Sequence, residues 1–280
     1  MQARIWGCRG SLASPGPKTI EYGGNTSCVE VQLADGTLIV LDAGTGIREL
    51  GVRLAVGRGR TIHLCLTHLH LDHIEGLGFF APIWQADTEL HVWGPPSALH
   101  SIEERVARYF SPPLFPVQLS DVPARTVFHD VPAEPWTIGS ARLTAERVFH
   151  PGPTLGYRID ENGSALAYIP DHEPALGLQL DALSSDWISG FALAREADVL
   201  LHDSQYSEEE YPSRVGWGHS SIADSVLFAG IADARRLVLF HHDPLHADGE
   251  LESLRERACE LWGDGGEPPT LAHEGMELTL

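Results

Sequence analysis

Apolar and polar positions along this chain alternate in many short runs, a pattern of strands interleaved with helices. Val29-Glu30-Val31-Gln32-Leu33 alternates with a period of two, as a half-buried strand does. Ala34-Asp35-Gly36 then reads as a turn, and Leu38-Ile39-Val40-Leu41 as a fully buried return strand. Thr61 to Thr67 alternates again, and Leu90–Trp93, Arg142–Phe149 and Ala197–His202 fit strands. Leu155 to Ile169 reads as a hairpin around Glu161-Asn162-Gly163. Helical spacing is expected near 74–85, 97–109, 220–234 and 250–261. Strands and helices mix throughout without a linker, so residues 1–280 are expected to form one α/β domain.

One stretch departs from this pattern. Residues 109–136 hold six prolines and several aromatics. Proline at that density suppresses helix and central strand, predicting an ordered loop or extended arm inserted in the domain. Three roles are open for it: a lid over a site, a homodimer contact built on Tyr109, Phe110, Phe115 and Phe128, or a loop packed on its own domain.

Composition narrows the function classes. With 43% apolar and 21% charged residues, the chain can bury a large core. No apolar run approaches a membrane span, and Met1 to Trp6 opens no signal peptide. Cys8, Cys28, Cys65 and Cys259 are scattered, which suggests reduced thiols and a cytoplasmic setting. The 39 acids against 19 bases give a formal charge of −20. Proteins that grip long nucleic acids rely on basic patches to neutralise phosphate. This balance better suits a small substrate drawn in by the local field of bound cations.

The densest chemistry lies in His68-Leu69-His70-Leu71-Asp72-His73, directly after the predicted strand 61–67. Imidazole and carboxylate are the ligands borderline divalent metals prefer, zinc first among them. A loop at a strand end can turn His68 and His70 toward one ion, and Asp72 and His73 toward another. This H-x-H-x-D-H pattern resembles the metallo-β-lactamase superfamily, and the resemblance covers nearly the whole chain. It implies an αββα sandwich of two mixed β-sheets flanked by helices. By resemblance His150, Asp171 and His241 are the remaining ligands: His68, His70 and His150 for one ion, Asp72, His73 and His241 for the other, and Asp171 bridging. His241 and His242 are adjacent and point oppositely in an extended chain; the family register favours His241. Asp42 matches an aspartate that braces the metal loop. His172 either lines the mouth of the site or is solvated. His63, His91, His100, His129, His202, His246 and His273 match no ligand position.

Two divalent ions, Zn²⁺ by default and Mn²⁺ as the alternative, imply hydrolysis by a hydroxide held between them, with Asp72 in the catalytic set. That chemistry serves phosphodiesters, esters, thioesters and lactones alike. An alkoxide leaving phosphorus is poor and benefits from a general acid. His219, in Trp217-Gly218-His219-Ser220-Ser221, precedes a predicted helix capped by Ser220 or Ser221, and Asp203 could orient it. The pair resembles the acidic residue and histidine of the tRNA 3′-processing endonuclease branch, with aspartate here in place of the usual glutamate. Gly156-Tyr157-Arg158-Ile159 matches that branch too. The endonuclease carries a long tRNA-clamping arm between the ligands matching His150 and Asp171. Here that interval is only 21 positions, taken up by one hairpin, which argues against tRNA. Gly7-Cys8-Arg9-Gly10-Ser11 and Tyr22 to Cys28 also look like the small-substrate phosphodiesterases, which include cyclic-nucleotide enzymes. The expectation is therefore a metal-dependent hydrolase of a small phosphodiester. An ester, thioester or lactone hydrolase is the alternative, and a non-catalytic metal-binding scaffold a further one.

Overall fold

The computed structural model describes residues 1–55, 59–263 and 266–280. Its first half builds one sheet from β1 (Gln2–Gly7), β2 (Cys28–Gln32), β3 (Leu38–Leu41), β4 (Thr61–Cys65), β5 (Glu89–Gly94) and β6 (Arg125–Asp130). Its second half builds another from β7 (Trp136–Ile138), β8 (Ala141–Arg147), β9 (Leu155–Glu161), β10 (Ser164–Ile169), β11 (Val199–Asp203), β12 (Leu237–Phe240) and β13 (Thr270–Leu271). The last strand, β14 (Glu277–Thr279), returns to pair with β1, so the orders are β14-β1-β2-β3-β4-β5-β6 and β13-β12-β11-β10-β9-β8-β7. Each sheet is antiparallel at one side and parallel at the other.

The sheets pack face to face around Ile5, Val31, Leu41, Leu143, Tyr157, Leu201 and Phe240. The outer face of the first sheet is covered by α1 (Ile47–Leu54), α2 (Leu71–Ile74) and α3 (Ile102–Tyr109). The outer face of the second is covered by α4 (Phe191–Ala194), α5 (Ile222–Ile231) and α6 (Asp248–Trp262). This is the expected α/β architecture, an αββα sandwich of two mixed sheets. β3, β4, β8, β10, β11 and β12 all end on the same side of it, so the loops that follow them converge. No helix among the described residues is long and apolar enough to cross a membrane. All four cysteines are free.

Several local expectations change. The helix expected over 74–85 is instead the short α2 followed by two 3₁₀ turns, Leu77–Phe79 and Ala81–Trp84. Gly76, Gly78 and Pro82 are poor helix formers. The Gly76 backbone also passes so close to Gly44 that a Cβ there would sit 2.1 Å from the Gly44 carbonyl oxygen. α3 begins later than the spacing predicts, at a capping box in which Ser101 Oγ accepts from Glu104 N (3.1 Å) and Glu104 accepts from Ser101 N (2.8 Å). The proline-rich stretch contains a real strand, β6, at the sheet edge, because its prolines flank residues 125–130 rather than interrupt them. Phe110 and Phe115 of that stretch are buried against their own sheet.

Candidate metal centre

The loop leaving β4 carries His68 and His70, and α2 carries Asp72 and His73. Asp42, just past the end of the neighbouring β3, holds this loop in place. It accepts from Thr67 N (2.8 Å), from the Thr67 hydroxyl (2.9 and 3.1 Å), from Tyr168 OH (3.0 Å) and from His73 Nδ1 (2.8 Å). The last bond fixes the His73 tautomer and turns Nε2 inward, 3.0 Å from Asp171 Oδ2 and 3.2 Å from Asp72 Oδ2. Asp72 is steadied in turn by the Ser11 amide, 2.8 Å from Oδ2.

The other predicted residues arrive from the second sheet. His150 follows β8 and donates Nδ1 to the Gly218 carbonyl at 2.9 Å, leaving Nε2 3.2 Å from His70 Nδ1. Asp171 follows β10; its Oδ1 lies 3.8 Å from His68 Nε2, 3.8 Å from His150 Nε2 and 3.3 Å from His241 Nε2. His241 follows β12, is anchored by Gln205 Oε1 at 3.1 Å from Nδ1, and brings Nε2 to 3.3 Å from Asp72 Oδ2. His242 turns away and donates to the Ala272 carbonyl at 2.9 Å. Asp42 and His241 both adopt left-handed backbone, φ 60° and 62°. Such strain in non-glycine residues concentrates where a site needs it.

All seven residues expected to hold metal therefore meet, in two adjacent groups. Atoms of His68, His70 and His150 lie within 4.8 Å of one another, as do those of Asp72, His73, Asp171 and His241. Their chemistry fits a pair of divalent ions. His68 Nε2, His73 Nε2 and Asp171 Oδ2 are buried, and none makes an aligned hydrogen bond among the described residues, the 3.0 Å contact between the last two included, a costly arrangement unless a cation satisfies them. Burial, and then the neighbouring His73, hold His68 well below its ordinary pKa, so it offers a neutral nitrogen.

Beside these groups stands the predicted acid–base pair. His219 Nδ1 is 2.7 Å from Asp203 Oδ2, and its ring stacks on His241 at 4.9 Å with 16° between planes. Asp203 is fully buried and also accepts from the amides of His172 (3.0 Å), Gln205 (3.1 Å) and Ser220 (3.2 Å). Burial would push His219 down, but the Asp203 carboxylate, through charge and hydrogen bond, and after it the charges of Asp171 and Asp72 lift it to about 8. Without metal the ring is thus a cation at neutral pH, with Nε2 left for another partner. Ser221 caps α5 directly behind it, accepting from Asp224 N at 3.0 Å.

Some residues have roles the spacing did not suggest. His172 neither lines the mouth nor meets solvent: it is fully buried and shares a 2.8 Å hydrogen bond with His202, which reaches Ser225 Oγ at 2.9 Å. Glu173, also buried, accepts from Gly216 N, Gly218 N and Tyr211 OH, each at about 2.9 Å. It thereby anchors the loop that supplies both the His150 acceptor and His219. Gly218 is required there: at φ 87°, a Cβ would lie 2.3 Å from Pro151 and 2.5 Å from His150. The only sequence signal for this brace is the glycine pair itself.

Comparison with known proteins agrees with this geometry. A family model described as "Beta-lactamase superfamily domain" matches residues 37–242. A Ribonuclease Z of Kineococcus radiotolerans is 26% identical over 275 residues, 86% of this chain and 85% of that protein. Among solved structures, the metallo-beta-lactamase fold protein YhfI of Bacillus subtilis superposes with TM-score 0.71 at 18% identity, over 99% of this chain and 98% of its own. The short form of human tRNase Z superposes with TM-score 0.65 at 21% identity, over 100% of this chain and 99% of its own.

Proposed function

Because this chain belongs to the β-lactamase superfamily and is a metallo-hydrolase, we propose that it cleaves a small phosphodiester, with His219 as general acid. The observation that carries this reading is the buried Asp203–His219 pair, 2.7 Å apart and packed against the ligand cluster. When bound, two divalent ions supply Lewis-acid polarisation of a phosphoryl oxygen and make water acidic enough to attack near pH 7. The imidazole-rich donor set favours zinc, with manganese as the alternative.

Each protein group then has a defined task. His68, His70 and His150 would hold one ion and Asp72, His73 and His241 the other, with Asp171 placed between the two groups. Asp42 aims His73, Gln205 aims His241, and the Gly218 carbonyl aims His150. His219, cationic below about pH 8, donates its Nε2 proton to the departing oxygen while Asp203 stabilises the ring's orientation. An acyl hydrolase expelling a stable thiolate would have little use for such an acid.

A second reading, an RNA substrate, is favoured by the relatives named Ribonuclease Z. Against it stand the formal charge of −20 and the β9–β10 hairpin, which fills most of the interval between His150 and Asp171. The deciding assay is hydrolysis of bis(4-nitrophenyl) phosphate by protein reconstituted with zinc or manganese, with bound metal counted. Turnover with about two metals per chain is expected; none, with both present, would move the reading to acyl esters. A cyclic-nucleotide panel and a precursor tRNA would follow. Efficient cleavage of the tRNA would overturn the small-substrate reading.

A further inference from the structure

Beside the His68 and His70 side of the centre lies a cavity of about 380 Å³. Its walls are Leu69, Leu71, Ile74, Tyr109 and Leu114 on one side and the turn Pro151–Pro153 on the other. Leu71 and Leu114 stand 62% and 71% exposed at its rim, large apolar side chains left in water next to a reactive site. Tyr109 is a fixed wall: its hydroxyl donates to the Glu75 carbonyl and its ring packs on Phe110 and Phe115 at 5.1 and 5.6 Å. The charges at the cavity are positive in an otherwise acidic protein. Arg105 is tied to the Ser101 and Pro95 carbonyls and lies 4.0 Å from Asp130 Oδ1, whereas no acid among the described residues pairs with the exposed Arg108.

A second hollow, about 530 Å³, opens on the His219 side and includes Tyr206 and Trp217. The two hollows have only Pro151 in common. A proton delivered by His219 places the leaving oxygen in the second hollow. The substituent that stays on phosphorus must then project elsewhere.

Resting on the phosphodiester reading above, we infer that the cavity walled by Leu69, Tyr109 and Leu114 is the subsite for the retained arm of the diester. It takes a flat apolar arm and disfavours a cationic one. This also gives the proline- and aromatic-rich stretch a use, since its start supplies Tyr109 and Leu114. A volume of this size holds an aryl or nucleoside group and exceeds what a methyl ester needs.

The test uses three diesters with one leaving group, 4-nitrophenoxide, and methyl, phenyl or choline as the other arm. The metal-reconstituted protein is expected to favour phenyl over methyl about tenfold or more in kcat/KM, a range typical of apolar contacts, with choline poorest. Leu114→Asp, at an exposed position, should cut the phenyl-to-methyl ratio about tenfold, and Arg108→Ala should narrow the choline deficit. Phenyl phosphate, the product that keeps the arm, should bind more tightly than methyl phosphate by calorimetry, and Leu114→Asp should remove that advantage. Equal kcat/KM for all three esters, or an unchanged ratio in Leu114→Asp, would overturn the subsite. Absence of turnover for all three with both metals bound would instead sink the phosphodiester reading. The calorimetric comparison would then still decide whether the cavity prefers the aryl arm.

Discussion

Replacing Asp203 by Asn tests the acid–base pair with the least change of shape. In the folded protein Asp203 Oδ2 lies 2.7 Å from His219 Nδ1 and also accepts the His172 amide, while Oδ1 accepts the Gln205 and Ser220 amides. An asparagine must set an NH₂ group against donors at one of these positions and loses the charge altogether. With the carboxylate, His219 sits at about 8, against 6.5 ordinarily. Asp203 is the largest of the carboxylates that raise it, ahead of Asp171 and Asp72, so its loss removes most of a rise of about 1.5 units, roughly 2 kcal/mol. At pH 7.5 a group at about 8 is about three quarters cationic and one at the ordinary 6.5 about one tenth, so the loss lowers acid catalysis by up to about eightfold. Misorientation of the ring brings the expected loss on alkoxide leaving groups to about 10²-fold or more. An activated 4-nitrophenoxide needs no proton and should lose only a few-fold. The assay is kcat for a series of phosphodiesters graded in leaving-group pKa, measured from pH 6 to 9. Wild type should show a falling limb near pH 8, and Asp203→Asn a steeper leaving-group dependence with that limb displaced to lower pH. An equal loss across the series, or an unmoved limb, would refute the assignment of His219 as the acid.

Other consequences follow from the residues behind the site. Asp42→Asn can keep an oxygen for the Thr67 amide but then sets an NH₂ group against His73 Nδ1 and Tyr168 OH, so metal affinity should fall about 10- to 100-fold in a chelator competition. Glu173→Gln sets an amide against the Gly216 and Gly218 donors. It should lower stability in urea by about 1–3 kcal/mol and reduce turnover more for alkyl than for aryl leaving groups. His202 is buried and held down to about 4, by burial first, against 6.5 unfolded. Below pH 6.5 the unfolded chain therefore binds a proton the folded chain does not, and stability drops until about pH 4. His202→Gln should shrink the stability difference between pH 7 and pH 4.5 by about 2 kcal/mol at matched metal loading.

What the sequence discloses about this protein depends on how far apart the interacting residues are. His68 to His73 lie within six positions, so their chemistry is visible at once, and His150, Asp171 and His241 each follow an apolar strand. The two-sheet sandwich follows from the family resemblance, whereas the order of strands within each sheet is set by pairings that alternation does not record. α1 was legible but unused: Ile47, Leu50 and Leu54 fall on one buried helical face. β1, β13 and β14 are weaker cases, short edge or near-edge strands whose existence depends on partners far away, as Ala3 pairs with both Val31 and Leu278. The choice of His241 over His242 turns on one left-handed residue, a backbone feature no side-chain pattern records. Glu173 is the clearest limit. Its sequence, Asp171-His172-Glu173-Pro174, reads as a surface acid beside a proline, yet the carboxylate is fully buried and collects donors 38 to 45 positions away. A buried anion is tolerated only where such donors converge, and that convergence comes from the strand ends meeting on one side of the sandwich. The residues expected to hold metal are thus found from the clustered motif and, for His150, Asp171 and His241, from the family resemblance, whereas the groups that aim them, Asp42 apart, are set by tertiary approach.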